Sequence, residues 1–140
     1  MAVINGTPGD DTLVDTTGND NISGGDGNDT ILIRSGSDVV SGGNGDDRLF
    51  IDWSTDTSNF TSTTPSPTAG GGFSGTISDS TNTSVAYSGI EHFTILSGSG
   101  NDELHTGAGD DVLNSGAGND TIRAGAGDLT ADGGDGMSVV

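Results

Sequence analysis

Along this chain the hydrophobic positions are mostly single aliphatic residues that recur every ninth position, with glycine and polar residues between them. Residues 24–32, which read GGDGNDTIL, show the repeating unit Gly-Gly-x-Gly-x-Asp-x-apolar-x. Glycine adopts the positive φ angles that other residues avoid, so the first six positions predict a tight turn. Residues 30–32 then predict a short strand with one side chain pointing inward. Because this unit is too small to bury a core alone, we expect stacked copies of it.

Copies of the unit fill residues 6–50 and residues 97–140. The fourth position is Gly in every copy, and the sixth position is Asp in eight of them. In the same eight copies the eighth position is aliphatic, and stacked strands would turn this position into a continuous buried ladder. The ladder residues are Leu13, Ile22, Ile31, Val40, Leu49, Leu104, Leu113 and Ile122, and Ile4 extends the ladder towards the N-terminus. The pattern therefore predicts an all-β solenoid of nonapeptide repeats.

Residues 51–96 interrupt the period. Within them, residues 61–72 are rich in Pro, Ser, Thr and Gly and predict a flexible loop. Residues 73–77 and 85–87 alternate apolar and polar positions on either side of a polar turn, which is typical of a β-hairpin, and residues 90–96 predict a longer strand. We expect this insert to pack on the solenoid or to cap one array, with a plain linker as the alternative.

The predicted organisation has three parts, which together form one continuous unit. These are an N-terminal array over residues 1–50, a β-hairpin insert over residues 51–96, and a C-terminal array over residues 97–140. Near the end of the insert, Glu91 alternates onto the apolar face of the last strand. We therefore expect either a bulge that turns this side chain outward or a partner that neutralises it.

The 140 residues carry a formal net charge of −18, with three Lys or Arg residues, no Cys and 26 Gly. So acidic a chain would repel nucleic acid and anionic membranes, and no apolar run approaches the length of a membrane span. Disulfides are excluded, and because no convincing set of catalytic residues is present, we expect no enzymatic activity. An acidic disordered segment would share this composition, but the strict period argues against it.

A glycine-rich turn that ends in Asp offers carboxylate and backbone carbonyl oxygens together, which are the ligands that Ca²⁺ prefers. The nonapeptide closely resembles the calcium-binding repeat of the RTX (repeats-in-toxin, haemolysin-type) family, over about two thirds of the chain. The resemblance implies a right-handed parallel β-roll. In such a roll, successive turns fall on alternate sides, and each Ca²⁺ lies between turns that are two repeats apart.

By that resemblance, the metal ligands are the sixth-position carboxylates and carbonyl groups of the turn glycines. The carboxylates belong to Asp11, Asp20, Asp29, Asp38, Asp47, Asp102, Asp111 and Asp120. The candidate carbonyl groups belong to Gly9, Gly18, Gly25, Gly27, Gly36, Gly43, Gly45, Gly98, Gly100, Gly107, Gly109, Gly116, Gly118, Gly125 and Gly127. The implied cofactor is Ca²⁺, with about four to six ions bound.

Four of these sites are expected to have Asp in both turns. The pairs are Asp11 with Asp29, Asp29 with Asp47, Asp20 with Asp38, and Asp102 with Asp120. Two further sites, at Asp111 and Asp120, would be weaker because Leu129 and Ser138 stand where the facing turn should have Asp. Thr7, Thr16 and Arg34 replace the second-position Gly, which alters the geometry expected of their turns.

The resemblance implies a calcium-binding module of a larger secreted bacterial protein, without catalytic activity of its own. Such arrays stay unfolded in a cytosol poor in Ca²⁺, leave by type I secretion and fold outside the cell or at its surface. The expected partners are Ca²⁺ and neighbouring domains of the parent protein. Two alternatives remain open at this point: an adhesion module that binds an unidentified surface ligand through Trp53, Tyr87 or residues 61–72, and an accessory module of an extracellular enzyme.

Overall fold

Short strands alternate with glycine-rich turns in the computed structural model, which describes residues 1–79, 81–136 and 138–139, the last two as backbone only. The strands are β1 (Val3–Asn5), β2 (Thr12–Val14), β3 (Asn21–Asp26), β4 (Thr30–Ile33), β5 (Ser37–Asn44), β6 (Arg48–Asp52), β7 (Thr61–Ser62), β8 (Ser66–Pro67), β9 (Phe73–Ser78), β10 (Ser84–Ile90), β11 (His92–Leu96), β12 (Glu103–His105), β13 (Asp111–Asn114), β14 (Asp120–Arg123), β15 (Leu129–Asp132) and β16 (Ser138–Val139). In these described ranges, no helix is long and apolar enough to cross a membrane.

The described strands form two sheets. The narrow sheet has six parallel strands in the order β15, β13, β11, β6, β4, β2. The wide sheet has the order β1, β3, β5, β10, β9, β7, β12, β14, β16, and β8 pairs with β9 beside this path. Within each array the chain alternates between the sheets, so residues 18 positions apart lie side by side, as Ile4 and Ile22 do. The predicted all-β parallel roll is confirmed.

The core lies between the two sheets and is built from the predicted ladder. The fully buried ladder residues are Ile22, Ile31, Val40, Leu49, Leu104, Leu113 and Ile122, while Ile4 and Leu13 pack against them at the N-terminal end. Each fully buried aliphatic side chain of this kind contributes about 1.5–3 kcal/mol relative to an exposed one. A single turn and strand buries one such residue, so the stability of the roll depends on the stacking of many coils.

The insert adds a hairpin to the wide sheet. Strands β9 and β10 pair antiparallel, β10 pairs parallel with β5, and β9 pairs antiparallel with β7. The hairpin thus lies within the wide sheet, between β5 and β7, rather than on its outer face or at one end of an array. Backbone groups at a strand edge need partners, and the hairpin supplies them inside the sheet. Its inward residues Ile77, Val85, Tyr87 and Ile90 are buried and extend the core of the arrays.

Residues 61–72, predicted as a flexible loop, contain the short strands β7 and β8. In β7, Thr61 pairs with Ser78 of β9 on one side and with Glu103 of β12 on the other. Pro67 lies in β8, which pairs only with β9, and an outer strand tolerates the missing N–H of proline. The backbone of this segment therefore joins the hairpin to the C-terminal array.

Strand β11 joins the two arrays in the narrow sheet, because it pairs with β6 on one side and β13 on the other. The eighth-position residue Leu49 lies opposite Phe93, whereas the eighth-position residue Leu113 lies opposite Ile95. The repeat register thus slips by two residues across this strand. Strand side chains alternate with a period of two, so a slip of two residues keeps the apolar column facing the core.

Candidate metal centres

The turns that connect the two sheets stack in two columns, one at each edge of the roll. The first column, from the wide to the narrow sheet, contains residues 6–11, 24–29, 42–47, 88–91, 106–111 and 124–129. The second column, in the opposite direction, contains residues 15–20, 33–38, 97–102 and 115–120. Since one coil equals two nonapeptides, each column brings the sixth-position Asp of alternate repeats together.

Each column is held together by hydrogen bonds between carboxylates and the backbone. In the four predicted Asp pairs, the backbone N–H of the earlier Asp donates to Oδ1 of the later Asp at 2.8 to 2.9 Å. Three further carboxylates accept in the same way through Oδ1. The backbone N–H of Ala2 donates to Asp20, that of Phe60 to Asp102, and that of Phe93 to Asp111. The structure therefore brings each predicted pair into direct contact, with one carboxylate oxygen engaged.

The second carboxylate oxygen, Oδ2, divides these residues into open and closed ones. An open Oδ2 is buried without a hydrogen-bond partner among the described residues, and the open residues are Asp29, Asp38, Asp47 and Asp120. A closed Oδ2 accepts a hydrogen bond from its own turn, and the closed residues are Asp11, bonded by Thr7, Asp20, bonded by Thr16, and Asp102, bonded by Ser97. The open oxygens are the atoms that an added cation would contact.

The pKa directions agree with this division at Asp38, Asp47 and Asp20, whereas the closed Asp102 departs from it. Burial raises the pKa of both Asp38 and Asp47 to about 6. At Asp20 the hydrogen bond from the Thr16 hydroxyl lowers the pKa instead. Burial also raises the pKa of Asp102, in spite of its hydrogen bonds from Phe60 and Ser97. A buried carboxylate without a hydrogen-bond donor is costly, so an open turn needs a positive charge beside its carboxylate. In a closed turn, hydrogen-bond donors take the place of that positive charge.

The open oxygen of Asp29 lies beside backbone carbonyl oxygen. A Cβ built on Gly24 would lie under 3.0 Å from both Asp29 Oδ2 and the carbonyl oxygen of Gly42 in the next coil. Only glycine fits there, because both oxygens pack against its Cα. Ca²⁺ binds carboxylate and carbonyl oxygens at about 2.3–2.6 Å, so the donor set fits this ion. Gly24 and Gly42 were missed among the candidates, although the doubled glycine of their repeats marks both positions.

The predicted carbonyl groups mostly point along the columns. A Cβ on the glycine one coil later would lie under 3.0 Å from the carbonyl oxygens of Gly9, Gly18, Gly25, Gly27, Gly98, Gly100, Gly107, Gly109, Gly116 and Gly118. This close approach explains why glycine recurs at these positions. Two of these carbonyl groups also accept backbone hydrogen bonds, Gly98 from Ala117 and Gly107 from Gly125.

Side chains alone do not form a metal site in the described ranges, since no three His, Cys, Asp or Glu side chains cluster there. Any ion held between coils would therefore take most of its ligands from the backbone. Leu129 lies opposite Asp111 in the sheet, at the position where the repeat would have an Asp. Ser138 lies opposite Asp120 in the backbone pairing, and its side chain lies outside the described residues.

A family model for the RTX calcium-binding nonapeptide repeat matches the chain in four copies, within residues 5–32, 34–57 and 96–128. These matches cover more than half of the chain and leave the hairpin of the insert outside them. Searches of curated proteins and of solved structures gave no significant match.

Proposed function

The chain belongs to the RTX calcium-binding nonapeptide repeat family, and we propose that it is a module of a larger secreted protein that folds when it binds Ca²⁺ outside the cell. Repeats of this family are structural calcium-binding units and not catalytic ones. The observation that carries the proposal is the set of open carboxylate oxygens at Asp29, Asp38, Asp47 and Asp120.

Each open oxygen is a buried negative group that the described residues leave without a donor. A buried polar group of this kind costs about 1–3 kcal/mol, and more when it is charged. Several such groups in one small roll, in a chain of net charge −18, oppose folding. A cation bound at each would convert this penalty into a favourable interaction, so metal binding and folding would be one process.

In this proposal the ligands are the sixth-position Asp carboxylates and carbonyl groups of the stacked turns. Four ions at the open oxygens would be the tight set. Closed turns at Asp11, Asp20 and Asp102, together with Asp111, would account for any weaker sites up to a total of about six. Ca²⁺ suits such irregular oxygen sites better than Mg²⁺, which demands near-ideal octahedral geometry.

Folding that depends on Ca²⁺ also supports export of the module by type I secretion. RTX arrays that stay unfolded where Ca²⁺ is scarce can pass a type I secretion channel and fold at external Ca²⁺, where modules of this class bind with dissociation constants of roughly 10⁻⁴–10⁻³ M. Catalytic activity, if any, would belong to neighbouring domains of the parent. Binding of a surface ligand through Trp53 or Tyr87 is excluded, because both side chains are buried in the core.

A titration of the metal-free chain with Ca²⁺, followed by circular dichroism and calorimetry, tests the proposal. We expect little β signal in chelator, a cooperative gain on adding Ca²⁺, and a stoichiometry of four to six. The same titration with Mg²⁺ is the control and should give much less folding. A metal-free sample with the full β signal and the same melting temperature would overturn the proposal.

A further inference from the structure

Glu91, in the insert, occupies the place of a sixth-position Asp. It directly precedes β11, as Asp47 precedes β6, and the two strands pair in register. The backbone N–H of Asp47 donates to Oε2 of Glu91 at 2.8 Å, just as the N–H of Asp29 donates to Asp47 Oδ1 at 2.8 Å. The insert therefore continues the first column of turns with a carboxylate that lies outside the family matches.

Glu91 lies in the connection between β10 and β11, where the chain crosses from the wide sheet to the narrow sheet. The N–H groups of Glu91 and His92 both donate to the carbonyl oxygen of Asp47, at 3.1 and 3.0 Å. Residues 90–96, predicted as one strand, are therefore divided between two sheets at Glu91. Glu91 thus leaves the apolar face that strict alternation would give it and turns towards the turn 42–47 instead.

The oxygens at this junction are arranged around Gly42 as those between two repeats are arranged around Gly24. A Cβ on Gly42 would lie under 3.0 Å from both Asp47 Oδ2 and the carbonyl oxygen of Gly89. The corresponding point at Gly24 is bounded by Asp29 Oδ2 and the Gly42 carbonyl oxygen. Gly89 of β10 therefore stands where the first-position glycine of a regular repeat would stand.

The carboxylate of Asp47 is completely buried, and its Oδ2 has no hydrogen-bond partner in the described chain. Glu91 adds a second carboxylate to the same junction, and its Oε1 lies near the glycine turn at Gly71 and Gly72. Oδ1 of the neighbouring Asp46 lies 2.9 Å from His92 Nε2, and Nδ1 of the same ring accepts from the backbone N–H of Asp110. Two adjacent carboxylates, one fully buried, call for a positive charge between them.

We propose that the cation at the open oxygen of Asp47 is a hard divalent ion held jointly by the carboxylates of Asp47 and Glu91 and by the carbonyl oxygen of Gly89. The ion ties β10 of the insert to the turn that follows β5, and so fastens the hairpin into the wide sheet. The site rests on the proposed function, since it uses Ca²⁺ as the repeat turns do. It differs from them in that two of its three named ligands, Glu91 and Gly89, lie outside the repeats.

The test compares Glu91→Gln with the matched control Glu103→Gln, which lies in β12 beside His105 and away from the junction. Calorimetric titration with Ca²⁺ counts the ions, and hydrogen exchange reports amide protection in β10. Glu91→Gln should bind one ion fewer than the wild type and lose the Ca²⁺-dependent protection of residues 84–90, while β1 to β4 keep theirs. Glu103→Gln should match the wild type in both measurements.

If Glu91→Gln fails to fold, Glu91→Asp decides the question. It keeps the charge but shortens the reach, so we expect the full ion count with one site weakened at least tenfold. Unchanged ion number and unchanged β10 protection in Glu91→Gln, or unchanged affinities in Glu91→Asp, would overturn the site and leave the proposed function standing. A wild-type chain that binds no Ca²⁺ would overturn both.

Discussion

The hydroxyl of Thr16 donates a hydrogen bond of 2.6 Å to Oδ2 of Asp20, and the Thr16 backbone N–H donates a second to the same oxygen at 2.7 Å. One coil later in the same column, Oδ2 of Asp38 is buried without a partner. The second position of that turn is Arg34, whose N–H donates to Asp15 instead. In these two turns the residue at the second position therefore decides whether the turn neutralises its carboxylate from within, whereas Asp102 takes its donor from Ser97 at the first position of its repeat.

Replacing Thr16 with Val removes the hydroxyl donor and keeps the shape of the side chain. Hydrogen bonds to charged groups contribute about 1.5–3 kcal/mol, and partial exposure of Thr16 places the expected loss near the lower end. Urea unfolding at saturating Ca²⁺ measures it. Thr12→Val, at an exposed position of β2, is the control and should change stability by less than about 0.5 kcal/mol. Equal losses in both variants would contradict this role of Thr16.

Asp29→Asn should lower the number of bound Ca²⁺ by one, because its open Oδ2 faces the Gly42 carbonyl oxygen. Asp11→Asn should leave the number of tightly bound Ca²⁺ unchanged, since Thr7 already engages that oxygen. If a site is filled at ten to a hundred times its dissociation constant, its loss costs about 1.4–2.7 kcal/mol of stability. Calorimetric stoichiometry checks both variants, and an equal loss of ions from the two would show that Thr7 does not close its turn.

The strict nine-residue period allowed the stacking of the turns to be predicted. The resemblance to RTX repeats implied that turns two repeats apart face each other, and the four Asp pairs follow from that implication. The division into open and closed carboxylates was not predictable from the repeat consensus. It depends on side-chain hydrogen bonds of Thr7 and Thr16, residues that the pattern marks only as departures from glycine.

The position of the insert was also beyond the reach of the pattern. Alternation in residues 73–77 and 85–87 predicts a hairpin, but it does not specify which strands the hairpin joins. The pairing of β10 with β5 joins residues that are far apart in the sequence. It depends on the open edge of β5, which exists only once the N-terminal array has assembled. Glu91 was recognised as a residue that needs a bulge or a partner, and the structure gives it a partner, the backbone N–H of Asp47.

Tyr87→Phe should stabilise the Ca²⁺-loaded chain. The Tyr87 hydroxyl is buried and has no hydrogen-bond partner among the described residues, so its removal relieves a desolvation cost of about 1–3 kcal/mol. The ring itself stays in place against Phe93, at a centroid distance of 5.0 Å and an edge-on angle of 70°. Thermal unfolding should show a higher melting temperature. Phe93→Leu is the control that removes the ring contact, and a Tyr87→Phe variant that loses stability as that control does would refute the prediction.

In the absence of Ca²⁺, mild acid should promote folding, because a proton can neutralise an open carboxylate. Burial raises the pKa of Asp38 and Asp47 from 3.8 to about 6 in the folded chain. The folded state then binds protons more tightly than the unfolded state does. Its stabilisation by protonation is complete below pH 3.8 and is lost as the pH rises through 6. Asp20 acts in the opposite sense. Its ionised carboxylate is favoured in the folded chain, which lowers its pKa, so its contribution to stability is lost only as the pH falls below 3.8.

Circular dichroism in chelator, recorded from pH 7 down to pH 4, should therefore show a gain of β signal centred between pH 4 and 6. Protonation of the exposed carboxylates would also favour compaction, because it reduces the net charge of −18. Exposed carboxylates are protonated near pH 4, so this general effect appears at that pH. The double variant Asp38→Asn, Asp47→Asn separates the two effects. With both buried carboxylates replaced by neutral amides, the gain above pH 5 should disappear while the change near pH 4 remains. An unaltered pH profile in the double variant would assign the acid effect to net charge alone and remove Asp38 and Asp47 as its cause.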